Sequence, residues 1–438
     1  MKSVGIIGGG FSGLSTLAAL VRHAAVPLHI TIYHPDSAVG RGRAYSTQDP
    51  GHLLNVRAAA MGAHAGQDDD FHAWLIARHM PYDAGDFASR ALYGRYLDHV
   101  LAQTLVAAQG KDIRVFMAHE KALDVQPAPA GLLVKTAVGQ YAHDAAILAC
   151  GNDRPRTPAL GQGVARHAGW WKHPYQADRW RDIARAGHII IIGSGLSMID
   201  ALVTLVRAQY DGDITVLSRH GQIPMAHPGT ANAFLWDAED IERIRTPALL
   251  MRQVRLQAVR SQADWRDVLD GLRPQANTIW RRFSAADRKR AQRYMSFWNN
   301  RRHRIPQVMH DMVSRLSEQG QLRLIAGRVD KVEAMGRSLN VYTSAGVKEG
   351  QIVINCLGYD YGVVPDGGGL LSELATSGMV GVADGFPYPA RDCLQMHARH
   401  PLYGVGPLWQ GYFIESTAVR DIRLQADQVA RDILKSQG

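Results

Sequence analysis

Cysteine is scarce in this chain, and what there is stands far apart. Cys150, Cys356 and Cys393 form no C-x-x-C pair, which argues for a reducing compartment and against an internal dithiol redox centre. No apolar run reaches the roughly 18 residues a spanning helix needs, so no membrane segment is expected. The opening lysine and apolar run imitate a leader peptide, but Gly8-Gly9-Gly10 in its middle fits a turn better than a secretory core. Cytoplasm is the expected location. The 19 histidines show no H-x-H or H-E-x-x-H spacing, and no metal site is expected. There is no G-x-S-x-G nucleophile turn, no low-complexity segment and no short-period repeat. Charge is not evenly spread. Residues 241–330 hold 19 Lys and Arg against 8 Asp and Glu, leaving 30 against 32 in the rest of the chain.

At 438 residues the chain is long enough for two or three lobes. Its start reads strand, glycine turn, helix, strand: "SVGIIG", "SGLSTLAALVRHA", "LHITIY". Residues 68–105 carry helical spacing, with acids opening the first helix. "IRVFMAHEKALDV" and "GLLVKTAV" read as a strand pair, and "DAAILACG" as a buried strand. The Pro- and Gly-rich stretch 152–163 is the natural domain crossing. Strand, turn, helix, strand then recurs over 187–220. Residues 225–318 are helical in pattern and rich in Trp and Arg. Strands resume at "QLRLIAGRV", "LNVYTS" and "QIVINCLG", and the chain closes on "PLYGVGP" and a long amphipathic helix. The expected fold is α/β, with two Rossmann-like dinucleotide-binding domains and a helical insertion. The expected boundaries are 1–155 plus 320–438 for the first domain and 180–319 for the second, with the insert at 225–318.

The first turn, Gly8-Gly9-Gly10-Phe11-Ser12-Gly13, has the spacing G-x-G-x-x-G after a strand and at a helix start. In that context Gly8 allows the tight turn, Gly10 lets backbone approach a pyrophosphate, and Gly13 allows close strand–helix packing. The helix N-terminus, with Phe11 and Ser12, then offers free N–H groups to phosphate. The competing reading is a merely tight turn. The acid that ordinarily grips the ribose is missing: His34 occupies its place and Asp36 stands two residues further. Losing such a charge-assisted contact weakens binding by about 1.5–3 kcal/mol.

The second turn, Gly193-Ser194-Gly195-Leu196-Ser197-Met198, keeps two glycines and replaces the third by Met198. Its following strand ends in Ser218-Arg219, a hydroxyl and a planar cation suited to a ribose 2′-phosphate. One such charged contact favours NADPH over NADH by roughly 10- to 150-fold. Strand capping by Arg219 is the alternative.

"GRGRAYSTQDPGHLLNVRAAAMGA" (Gly40–Ala63), "ALYGRYL", "GSGLSMID", "SRHGQIP", "ADWRDVLDGLRP", "RRHR", "INCLG" and "GVGP…ESTAVRDIRLQA" together resemble a bacterial group of FAD/NAD(P)-binding proteins. That group is similar to the flavin-dependent N-hydroxylating and Baeyer–Villiger monooxygenases, and the resemblance runs over nearly the whole chain. It implies FAD on the first turn, with Gly40, Arg41 and Gly42 skirting its phosphates and ring. It implies Asn55 beside the reactive ring, as cofactor contact and catalytic candidate. It also implies that Gly406 and Pro407 belong to the last flavin motif. Relatives often carry Asp where this chain has Pro407; with His34, that departure implies loosely held FAD.

Gly163-x3-His167-x3-Trp171 resembles the core of the Baeyer–Villiger signature, although Gly161 stands where that signature has Phe. His167 is therefore a second catalytic candidate, with linker packing as the other reading. Cys150 and Cys356 end apolar strands and read as small buried hydrophobes. The basic run 280–304 interleaves Arg with aromatics. Nucleic-acid binding is one reading; the plainer one is a helix pair with Trp280, Tyr294 and Trp298 inside and Arg outside.

The expected function is an FAD-dependent, NADPH-using monooxygenase that hydroxylates a small polar molecule with O2, nitrogen being one candidate position. Two alternatives stand beside it. One is an NAD(P)H-dependent flavoprotein reductase without oxygenation, the other a flavin-fold protein whose basic insert binds nucleic acid.

Overall fold

The computed structural model describes every residue except 37, 152–153, 177, 181–182, 184–185, 230–231, 364–367 and 436–438. The chain divides into two compact units. The first is built from 1–50, 56–153 and 361–438, the second from 51–55 and 154–360.

The first unit holds a five-stranded parallel sheet. Its order is Leu402–Gly404, Ala145–Leu148, Lys2–Ile7, Leu28–Tyr33, Arg114–Ala118. The central strands are apolar on both faces, as a sheet covered on both sides requires. Val4, Ile6, Ile30, Ile32 and Ile147 are fully buried. Helices Phe11–His23 and Val419–Lys435 pack together. The run read as one strand from 113 to 125 breaks in two. Arg114–Ala118 joins the parallel sheet, while Ala122–Pro127 pairs antiparallel with Leu132–Thr136 and so belongs to a separate three-stranded sheet.

The second unit repeats the architecture. Its parallel sheet runs Leu322–Ala326, Asp213–Ser218, His188–Ile192, Ile352–Asn355, Trp170–Trp171. Residues 320–360 therefore lie in the second unit, where the sequence reading placed them in the first. Short apolar strands fit either parallel sheet, and local sequence does not encode the pairing partner. Among the described residues of 225–318 the regular elements are helices, starting only at Ala238–Glu242 and running through Pro247–Ser261 to Gln307–Glu318. Within it Trp280 is buried, but Tyr294 is 70% exposed and lies outside the helix core expected of it. Much of the basic charge is paired in place. Arg304, fully buried, holds Asp270 at 2.8 Å, Arg266 holds Asp264, and Arg282 holds Glu242. Among the described residues no helix is long and apolar enough to cross a membrane.

One buried titratable group sits against the first sheet. The His143 ring lies over Gly5, where an added Cβ would come within 2.9 Å of it. Its Nε2 meets the Tyr33 hydroxyl at 2.7 Å and its Nδ1 the Ser3 hydroxyl at 2.8 Å. Burial first, and the nearby His29 second, push its pKa down to about 4. A histidine held neutral in the fold contributes stability that is complete above its ordinary pKa of about 6.5 and lost as pH falls from there toward 4. The loss is on the order of 2–3 kcal/mol by pH 4.5. Urea unfolding at pH 7 and pH 4.5 checks this: H143Q, which does not titrate, should show a smaller difference between the two midpoints. An unchanged difference would assign the acid sensitivity elsewhere.

Candidate functional site

The two glycine turns are built alike. Gly8 has φ +113°, and Gly193 has φ +101°. Each donates its N–H to the neighbouring strand, Gly8 to Tyr33 O at 2.9 Å and Gly193 to Leu217 O at 2.8 Å. A Cβ on Gly8 would lie 2.3 Å from Ala149 O, and one on Gly193 would lie 2.4 Å from Cys356 O. Both positions therefore demand glycine for the fold itself. Gly10 and Gly195 are different. They have ordinary φ of −76° and −86°. A Cβ on Gly10 meets nothing nearer than Gly42 Cα at 3.5 Å, and one on Gly195 meets nothing within 4 Å. The fold does not require glycine there; a bare backbone is what a ligand approaching it would need.

Both helix starts carry open donors. Among the described residues, the amides of Gly9, Gly10, Phe11, Ser12 and Gly13 have no acceptor, nor do those of Ser194, Gly195, Leu196 and Ser197. Helices Phe11–His23 and Leu196–Arg207 thus point unpaired N–H groups out of their glycine turns, an arrangement suited to pyrophosphate. These donors and the bare Gly10 and Gly195 faces fit a dinucleotide at each turn.

Gly40, Gly42 and Gly406 lie against the first turn. Gly40 donates to Gly9 O at 2.7 Å, and Gly42, at φ +56°, comes close to Gly10. Arg41 forks onto Asp98, with Nε to Oδ1 at 2.9 Å, and this bond raises its pKa further. Gly406 lies against the same helix start: a Cβ there would meet Ser12 Oγ at 2.3 Å. Its N–H is held by Gln425 Oε1 at 2.8 Å, and Pro407 opens a short 3-10 turn. The His34 ring covers Gly9, where a Cβ would strike it at 2.6 Å. Asp36, 81% exposed, stands 3.7 Å from His34 Nε2.

At the second turn Leu196 packs on the unit's core, and the Ser194 hydroxyl donates to Gln222 O at 2.5 Å. Because Gly193 pairs with Leu217, Ser218 and Arg219 follow directly at the strand end beside the turn. Arg219 is exposed and has no side-chain partner among the described residues.

The catalytic candidates fare differently. His167 accepts Gly169 N–H at Nδ1, 3.0 Å, and donates from Nε2 to Gly336 O, 3.2 Å. Both ring nitrogens are engaged, so His167 pins a turn onto the neighbouring hairpin. Asn55 belongs to the second unit. Its carbonyl accepts His227 Nε2–H at 3.0 Å, while its side-chain amide has no partner among the described residues. His227 was not singled out in the sequence, and no motif marks it. Cys356 is buried, and burial, then the Asp200 charge, raise its thiol pKa far above the usual range. Cys150 is exposed, contrary to the expectation of a buried hydrophobe; it stands two residues beyond the strand Ala145–Leu148. Among the described residues no group of three or more His, Cys, Asp or Glu could hold a metal.

A family model described as FAD-NAD(P)-binding matches residues 5–153. No curated protein matches the chain by sequence. Among solved structures, the chain is similar to an ornithine N-hydroxylase from Kutzneria sp. 744, solved with reduced FAD, NADP+ and L-ornithine. That match has TM-score 0.66 and 15% identity, over 100% of this chain and 99% of the other. L-lysine 6-monooxygenase from Pseudomonas syringae matches at TM-score 0.60 and 15% identity, over 100% of both chains. Bacillithiol disulfide reductase from Staphylococcus aureus matches at TM-score 0.58 and 13% identity, again over 100% of both. The fold is thus a Rossmann-type FAD/NAD(P)-binding oxidoreductase fold.

Proposed function

We propose that this protein is an FAD-dependent, NADPH-using monooxygenase that hydroxylates a small polar substrate, with an amine nitrogen as the target. The observation that carries this reading is the pair of equivalent glycine turns, one on each parallel sheet, each with open amides and a bare second glycine. The match of residues 5–153 to an FAD-NAD(P)-binding family supports flavin on the first turn, which leaves the nicotinamide nucleotide for the second. The ornithine and lysine hydroxylases share the whole fold. The disulfide reductases share it too, but this chain has no C-x-x-C to relay electrons to a disulfide.

Bound FAD supplies a two-electron carrier between NADPH and O2, one oxygen atom entering the substrate and the other leaving as water. This chain's residues bind and orient. The open amides of 9–13 and of 194–197 would hold the two pyrophosphates, Gly40 and Gly42 would leave room for the first, and Gln425 fixes the Gly406 turn. Asn55, whose backbone carbonyl is held by His227, is the catalytic candidate that the resemblance implies. Oxygen consumption with a panel of small amines tests the reading. One hydroxylated product per NADPH supports it; peroxide alone with every amine gives the reaction to the reductase alternative.

Arg219 sets nucleotide choice in this account. R219A should raise KM for NADPH by roughly 10- to 150-fold, the worth of one charged contact, and leave KM for NADH nearly unchanged. Equal losses with both nucleotides would make Arg219 a structural residue.

A further inference from the structure

The second turn has a defect that the first does not. In the first, Gly13 lets the helix close on the strand: a Cβ there would lie 2.0 Å from Gly8 O. The helix then starts with a regular bond from Leu14 N–H to Gly10 O at 3.0 Å. In the second, Met198 holds the corresponding place, fully buried in the core. Its N–H takes Gly195 O at 3.0 Å, and Ile199 N–H reaches the same carbonyl only at 3.4 Å. The opening turn is tightened toward 3-10 geometry, and its regular bond is stretched.

A buried polar cluster grips that same helical turn. Asp200 is 1% exposed. The Tyr175 hydroxyl donates to Asp200 Oδ2 at 2.8 Å and stands 3.4 Å from Ser197 Oγ. His52 Nε2–H reaches Asp200 O at 3.1 Å and Thr204 Oγ1 at 2.9 Å, and its ring meets the Tyr175 ring edge-on. Thr204 Oγ1 in turn donates to Asp200 O at 3.1 Å. Tyr175 and His52 come from chain segments outside the helix and converge on one residue in it. A carboxylate this deep is costly unless it is held by hydrogen bonds.

We infer that Tyr175 and Asp200 are positioning residues for the nicotinamide nucleotide, bracing the start of helix Leu196–Arg207 in place of the missing third glycine. Their bond fixes the turn that carries the open amides of Leu196 and Ser197, so it sets the geometry of the pyrophosphate cradle. His52 holds the same turn through the Asp200 carbonyl. The role is separate from that of Arg219. A cradle acts on the part common to NADP+ and NAD+, whereas Arg219 acts on the 2′-phosphate alone. This inference rests on the reading of the second turn as the nicotinamide site.

Equilibrium binding of NADP+ and NAD+ to FAD-loaded Y175F tests it, together with amide hydrogen exchange over 194–200 in the free protein. Removing one hydroxyl bound to a buried carboxylate should weaken both nucleotides alike, by about 5- to 10-fold. Flavin content and overall melting should stay unchanged while exchange over 194–200 speeds up. D200N, which keeps an acceptor for the Tyr175 hydroxyl, should bind closer to the unaltered protein than D200A does. Unchanged affinity in Y175F, or a loss confined to NADP+, overturns the brace. If the unaltered protein binds neither nucleotide, the proposed function falls instead, and unchanged local exchange in Y175F would then refute the brace on its own.

Discussion

G10A should fold as the unaltered protein does and yet lose its flavin. Gly10 has φ −76°, which alanine adopts freely, and the new Cβ would stand in ordinary contact, 3.5 Å from Gly42 Cα. Nothing in the protein resists the change. The open amides of Gly9 to Gly13 work only if the pyrophosphate approaches the backbone at Gly10, and a methyl group there holds it off. Losing about two charged hydrogen bonds, at roughly 1.5 kcal/mol each, lowers FAD affinity on the order of 100-fold. FAD titration by fluorescence, beside a thermal melt of the apoprotein, reads both parts. An unchanged melt with lost flavin is the expected pair. G10A protein that holds FAD as tightly as the unaltered protein would place the flavin elsewhere. G8A is no substitute, because its Cβ would strike the Ala149 carbonyl at 2.3 Å and disturb the fold itself.

The matching change at the second turn should separate the two cofactors. G195V leaves φ −86° acceptable, and the Cβ meets nothing within 4 Å. The variant should keep its flavin but lose reduction by NADPH and by NADH, with kcat/KM falling on the order of 100-fold for both. Dithionite should still reduce the flavin fully. Loss of flavin in G195V would mean that the two turns do not hold separate ligands.

Much of this was legible in the chain because the chemistry is local. Gly8, Gly10 and Gly13 announce a turn through their spacing; in the structure Gly8 and Gly13 are crowded by backbone while Gly10 is left bare. The position of Ser218 and Arg219 at a strand end follows from counting along one strand–helix–strand unit, where connections are short, and the strand does end at Ser218. What stayed hidden is long-range. Strands Leu322–Ala326 and Ile352–Asn355 complete the second sheet, yet their short apolar sequences fit either sheet. The partners of Asp200 show the same limit. The sequence shows an acid inside the apolar run "LSMIDALVTL" but not its partners, since Tyr175 lies 25 residues away and His52 148. His167 is the reverse case. Its spacing resembles a catalytic signature, while its two ring nitrogens are taken up by backbone groups. Tyr294 follows the aromatic rhythm of the insert and still faces solvent, since short helices turn a sequence pattern away from the core wherever they break.

The most direct test of two dinucleotides working together is anaerobic addition of NADPH to the FAD-loaded protein, followed through the flavin's visible absorption. The account predicts full bleaching by one equivalent of NADPH. Admission of air should then restore the colour. If the bound flavin stays oxidised under saturating NADPH while dithionite bleaches it, hydride does not pass between the two turns, and the central claim is wrong.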